Sequence, residues 1–145
     1  MTFLTSTAEQ TILLGEKIGS MVKPGTVIAM EGTLAAGKTT MTKGIARSLG
    51  INETITSPTF TLISEYEGKI PLYHMDAYRL DSAEDFLNLG VEDMIYGKDG
   101  IAIIEWSEKV RQELPKKTIT IKLEVQEDGS RLITITNWPF GDIQQ

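Results

Sequence analysis

The stretch Gly32-Thr33-Leu34-Ala35-Ala36-Gly37-Lys38-Thr39 spaces two glycines, a lysine and a hydroxyl as a phosphate cradle requires. Glycines let a backbone turn tightly and bring successive amides toward one anion. Lys38 supplies a point charge near the β and γ phosphates, and the Thr39 hydroxyl suits a magnesium ion. A helix beginning at Lys38 adds unpaired amides and the positive end of its dipole. The competing reading is a Gly- and Ala-rich turn with no ligand.

Phosphoryl chemistry also needs carboxylates to hold the metal shell or the attacking water. Ile101-Ala102-Ile103-Ile104-Glu105 is an apolar run ending in an acid, the Walker B form, and makes Glu105 the first candidate. Asp76 ends a second such run in His74-Met75-Asp76-Ala77-Tyr78-Arg79. Two acids and one magnesium fit a phosphoryl-transfer centre, with Lys38, Asp76 and Glu105 as catalytic candidates and Thr39, Glu105 and Asp76 as metal candidates. For either acid the alternative is a solvated strand-end carboxylate. Arg79 either neutralises transition-state charge or pairs with a carboxylate such as Asp76. His74 is either a general base or, as a lone strand histidine more often is, structural. Thr56-Ser57-Pro58-Thr59-Phe60 either senses the γ phosphate or is a proline turn into a strand. Trp106, directly after the candidate acid, packs over the site, onto a partner or into the core.

These residues need a scaffold. Ser6-Thr7-Ala8-Glu9 has the form of a capping box, with Ser6 capping a helix that runs to about residue 22 and stops at Lys23-Pro24-Gly25. Residues 26–30 read as a buried strand, and residues 39–49 as a helix closed by Gly50. The cradle therefore falls between strand and helix. Residues 60–66 and 69–75 predict a hairpin around Glu67-Gly68. Asp81-Ser82-Ala83-Glu84 opens a short helix ended by Gly90, residues 101–104 form a second buried strand, and a polar helix covers about 107–114. Alternating runs around Asp128-Gly129 predict a closing hairpin within 118–136. The expected fold is α/β: a P-loop NTPase-like three-layer α/β/α arrangement with a mixed, mostly parallel sheet and antiparallel hairpins, in a single domain over 1–145.

Composition narrows the chemistry. The 145 residues include no cysteine, which removes disulfides, thiolate metal sites and thiol nucleophiles, and one histidine, which removes a multi-histidine metal site. A divalent ion here must be held by oxygen, as magnesium is. Net charge is −6, and no basic run exists beyond Lys116-Lys117, so a nucleic acid would have to be held by a partner. Glu9, Glu16, Lys17 and Lys23 in the first 30 residues argue against a signal peptide, and no stretch reaches the roughly 18 apolar residues of a membrane span. A cytoplasmic location is expected.

With EGTLAAGKTT, SPTFTL, HMDAYRL and IEWSE in that order across residues 31–108, the chain resembles the TsaE (YjeE) family of small bacterial P-loop ATPases. It departs from that family's pattern at Thr33, where an acid is usual, and at Ala35, where glycine is usual. The resemblance implies ATP binding and slow magnesium-dependent hydrolysis, coupled to a complex of TsaD and TsaB that modifies adenosine 37 of tRNAs reading codons beginning with A. It implies that Gly32 and the residues Leu34, Ala35, Ala36, Gly37, Lys38 and Thr39 surround the phosphates, with Thr40 near the α phosphate. It places part of the base pocket around Ser6 and Thr7, and brings Arg131 toward the nucleotide. Two other functions share the loop: a small-molecule or nucleoside kinase, and a non-catalytic module that uses ATP as a docking ligand.

Overall fold

The computed structural model describes residues 1–33, 35–56 and 62–144. Its strands are β1 (Thr2–Thr5), β2 (Val27–Glu31), β3 (Ile63–Tyr66), β4 (Leu72–Asp76), β5 (Ile101–Glu105), β6 (Ile119–Val125) and β7 (Arg131–Thr136). Its α-helices are α1 (Ala8–Met21), α2 (Lys38–Ser48), α3 (Ala83–Leu87) and α4 (Glu92–Ile95). The strands form one sheet in the order β1-β7-β6-β2-β5-β4-β3. The centre is parallel, β6 with β2, β2 with β5 and β5 with β4, whereas β1–β7, β7–β6 and β4–β3 are antiparallel. The sheet is mixed as expected, and its parallel part is the middle.

Burial explains that arrangement. β4 and β5 are buried at every position, as strands covered on both faces must be, while β6 alternates between buried and more exposed positions over most of its length. On one face Ile28, Met30, Ile101 and Ile103 meet Ile18 of α1 and Met41 and Ile45 of α2. On the other, Ala29, Met75 and Ile104 meet Phe86, Val91, Ile95 and Val110. Helical segments on both faces give the three layers. Helices α1 and α2 approach so closely that a Cβ on Gly44 would overlap the Ile12 carbonyl oxygen and stand 2.9 Å from the Glu16 amide.

Several expectations shift. The cap of α1 is Thr7, not Ser6: Thr7 Oγ1 accepts from the Gln10 amide at 3.1 Å, and Gln10 Oε1 accepts from the Ser6 amide at 2.6 Å. The cap is displaced by one residue, and the expected reciprocal bond to the cap amide is replaced by one to the Ser6 amide; β1, which the sequence did not suggest, occupies the chain up to Thr5. Residues 107–114 form two single 3-10 turns, Ser107–Lys109 and Arg111–Glu113, in place of an α-helix. Trp106 enters them with a left-handed φ of 56°, and Leu114 is extended before Pro115, so neither end can continue a helix. The hairpin pairs Tyr66 with Leu72, so its connection is residues 67–71 rather than Glu67-Gly68 alone. That longer connection lies against the end of α2, where the Lys69 amide donates to the Leu49 carbonyl at 2.7 Å. Among the described residues no helix is long and apolar enough to cross a membrane.

Candidate phosphate-binding site

Strand β2 delivers the chain into the loop, and Gly37 caps α2 with φ 105° and ψ 16°, a left-handed conformation that glycine adopts without strain. Gly32, at φ 150°, lies behind the loop, where a Cβ would stand 2.7 Å from the Leu123 carbonyl oxygen and 3.1 Å from the Ala36 Cβ. Ala35 also takes a left-handed φ, 65°, a conformation that glycine adopts more easily than alanine. Leu34 lies outside the described residues.

Lys38 opens α2 and is only 5% exposed. Its Nζ donates to the Gly32 carbonyl at 2.7 Å and sits 3.7 Å from the centre of the Trp106 ring. Burial lowers the Lys38 pKa below its ordinary value, and Glu105, Glu108 and Asp76 oppose that shift. Of the three readings of Trp106, the structure shows two at once: the ring lies against the loop lysine in the cavity wall and packs, partly buried, against the core.

The acids come from the adjacent parallel strands β4 and β5, whose register places Asp76 beside Glu105 at the C-terminal ends. Ligand clefts of open α/β sheets form at that edge. Both residues are buried, and alternation along the strands points them to the α2 side with Leu72 and Ile103. Thr39 Oγ1 donates to Glu105 Oε2 at 3.3 Å, and His74 Nε2 hydrogen-bonds the same oxygen. Asp76 Oδ1 accepts from the Tyr78 amide at 2.8 Å, and the Ala77 amide donates to the Glu105 carbonyl at 3.0 Å.

These groups line one cavity of about 600 Å³. Its walls are residues 35–40, the strand ends with Asp76 and Glu105, the β1–α1 junction with Ser6 and Thr7, and the β6–β7 turn with Arg131. Arg131 donates from Nε to the Ala36 carbonyl and from Nη2 to the Ala35 carbonyl, each at 3.1 Å. Its guanidinium therefore ties the β6–β7 hairpin to the loop, a use its position in the sequence does not show. Also unforeseen are Thr5 and Thr11, whose hydroxyls pair at 2.7 Å in the cavity wall; Tyr78, which the kinase reading would use with Asp76 and Arg79 at an acceptor hydroxyl, places its ring 4.8 Å from Trp106. Tyr78 alone carried a signal, an aromatic two residues after a candidate acid.

Arg79 is exposed and, among the described residues, is not part of the cavity wall. Thr56 is exposed as well, and Ser57-Pro58-Thr59-Phe60 lie outside the described residues. No group of three His, Cys, Asp or Glu side chains that could hold a metal exists among the described residues. Thr39, Glu105 and Asp76 are nevertheless hard oxygen donors at one cavity edge, and magnesium takes much of its shell from water and phosphate, so the donor set fits that ion.

A glycine loop between a central parallel strand and a helix, with two acids on neighbouring strand ends, defines a P-loop NTPase-like α/β protein. The family model described as threonylcarbamoyl adenosine biosynthesis protein TsaE matches residues 5–133. The chain belongs to the TsaE family, which acts in tRNA threonylcarbamoyladenosine biosynthesis. It is 48% identical over 135 residues to the tRNA threonylcarbamoyladenosine biosynthesis protein TsaE of Treponema pallidum (strain Nichols), covering 93% of this chain and 99% of that one. It is 42% identical over 134 residues to the protein of the same name from Bacillus subtilis (strain 168), covering 91% and 82%. The crystal structure of Bacillus subtilus YdiB superposes with a TM-score of 0.81 at 36% identity, over 93% of this chain and 83% of that one.

Proposed function

We propose that the chain binds ATP with magnesium in the 600 Å³ cavity and hydrolyses it slowly, with turnover coupled to a cytoplasmic complex of TsaB and TsaD. That complex would form the threonylcarbamoyl group on adenosine 37 of tRNAs reading codons beginning with A. The observation that carries the reading is the convergence of Lys38, Thr39, Asp76 and Glu105 on one cavity at the N-terminus of α2.

The amides of residues 35–40 and the free N–H groups of the first turn of α2 take the phosphates. Lys38, now on the Gly32 carbonyl, moves its ammonium to the β and γ oxygens. Thr39 and Glu105 hold magnesium, and Asp76 holds either the metal shell or the attacking water. Magnesium supplies charge against the negative charge that develops on the transferred phosphoryl oxygens. Ser6 and Thr7, at the β1–α1 junction, border the space left for the base. A net charge of −6 leaves the tRNA to the partners.

ATP hydrolysis measured with and without the TsaD–TsaB complex tests the proposal. The expected result is release of free phosphate that rises with the partners. Labelled γ phosphate on a small acceptor would show a kinase instead, and a Glu105→Ala variant that binds ATP yet still supports repeated rounds of tRNA modification would show a non-catalytic module.

A further inference from the structure

His74 is fully buried, on the same sheet face as Glu105 and two register positions away from it: His74 pairs with Ile103, and Asp76 with Glu105. Its Nε2 hydrogen-bonds Glu105 Oε2, the same oxygen that accepts from Thr39 Oγ1. Its Nδ1 is buried and finds no hydrogen-bond partner among the described residues. A leucine would fill this space without leaving a polar atom unpaired, so what histidine adds at position 74 is the Nε2–H on the carboxylate.

We propose that His74, through its Nε2–H, is a positioning residue that aims the Glu105 carboxylate at the magnesium ion. The inference rests on the function proposed above. There the Thr39 hydroxyl turns from Glu105 to the ion, and His74 becomes the donor that remains on Oε2. The anchored Oε2 leaves the second carboxylate oxygen to the ion or its water, and the rotation of the carboxylate about its last bond is fixed before the ion arrives.

The test uses the full chain as wild type, His74→Leu and His74→Gln, following ATP binding by intrinsic tryptophan fluorescence in EDTA and across a Mg²⁺ titration. The expected result is that His74→Leu binds ATP without magnesium as the wild type does, but needs roughly 10–100-fold more Mg²⁺ for half-saturation, as loss of a ligand's supporting hydrogen bond typically does. The Gln side chain presents an N–H at similar reach and recovers most of that loss. Equal Mg²⁺ requirements for the wild type and His74→Leu overturn the inference while leaving the site reading intact, and a wild type indifferent to Mg²⁺ overturns the site reading. If the leucine variant does not fold, the glutamine variant and the wild-type ring nitrogens decide. The chain has a single histidine, so its ¹⁵N ring signals need no assignment. A proton on Nε2 is expected, and an Nε2 without a proton overturns the inference.

Discussion

Replacing Ala35 by glycine tests the conformation of the loop. Ala35 has φ 65°, where its Cβ crowds the following carbonyl at a cost of about 1–2 kcal/mol. Glycine removes that strain but gives the unfolded chain more freedom, which offsets about 0.5–1 kcal/mol of the gain. The net effect of Ala35→Gly is a stabilisation between about 0 (1 less 1) and about 1.5 kcal/mol (2 less 0.5). Arg131 holds this segment through backbone carbonyls, so its hydrogen bonds survive the substitution. Urea unfolding of the nucleotide-free protein is the assay, read as a rise in midpoint at constant slope, and thermal midpoints should move up by about 2–4 °C per kcal/mol. Were Ala35 in a right-handed or extended conformation, only the entropic term would act. A destabilisation of about 0.5–1 kcal/mol would then result and would refute the left-handed assignment.

Two further substitutions probe the lysine and the helix beneath it. Because burial lowers the Lys38 pKa in the folded state, the unfolded chain binds more protons between that lowered value and 10.5, so wild-type stability gains a contribution as pH rises through this window. Lys38→Met should lack that alkaline rise in urea unfolding curves of the nucleotide-free protein, and identical pH profiles would contradict the burial argument. Gly44→Ala places a Cβ against the Ile12 carbonyl and 2.9 Å from the Glu16 amide, so α1 and α2 must separate. A loss of about 1–3 kcal/mol or more in urea unfolding is expected. An unchanged midpoint would mean that the helices are farther apart than described.

The loop and the acids were legible because the chemistry restricts residue types over short, contiguous stretches: glycines where amides converge, a lysine and hydroxyl after them, carboxylates where apolar strands end. What surrounds them was not legible, because it depends on pairings between distant residues. Strand β1 is only four residues long and acquires meaning from its pairing with β7, and the cap of α1 beyond it is Thr7 rather than Ser6. His74, open in the sequence between a general base and a structural strand histidine, acquires its partner only when the β4–β5 register brings it to Glu105, 31 residues away. The departure at Ala35 was visible in the sequence, but the sign of its φ was not. The same separation of local from distant information applies to how the loop is held. Its glycines are local, yet the Leu123 carbonyl that excludes a Cβ at Gly32 and the Arg131 guanidinium on the Ala35 and Ala36 carbonyls both come from the β6–β7 hairpin, about 90 residues on. Hairpin and loop therefore form one structural unit, and a perturbation of either reaches the candidate phosphate-binding site through the same backbone.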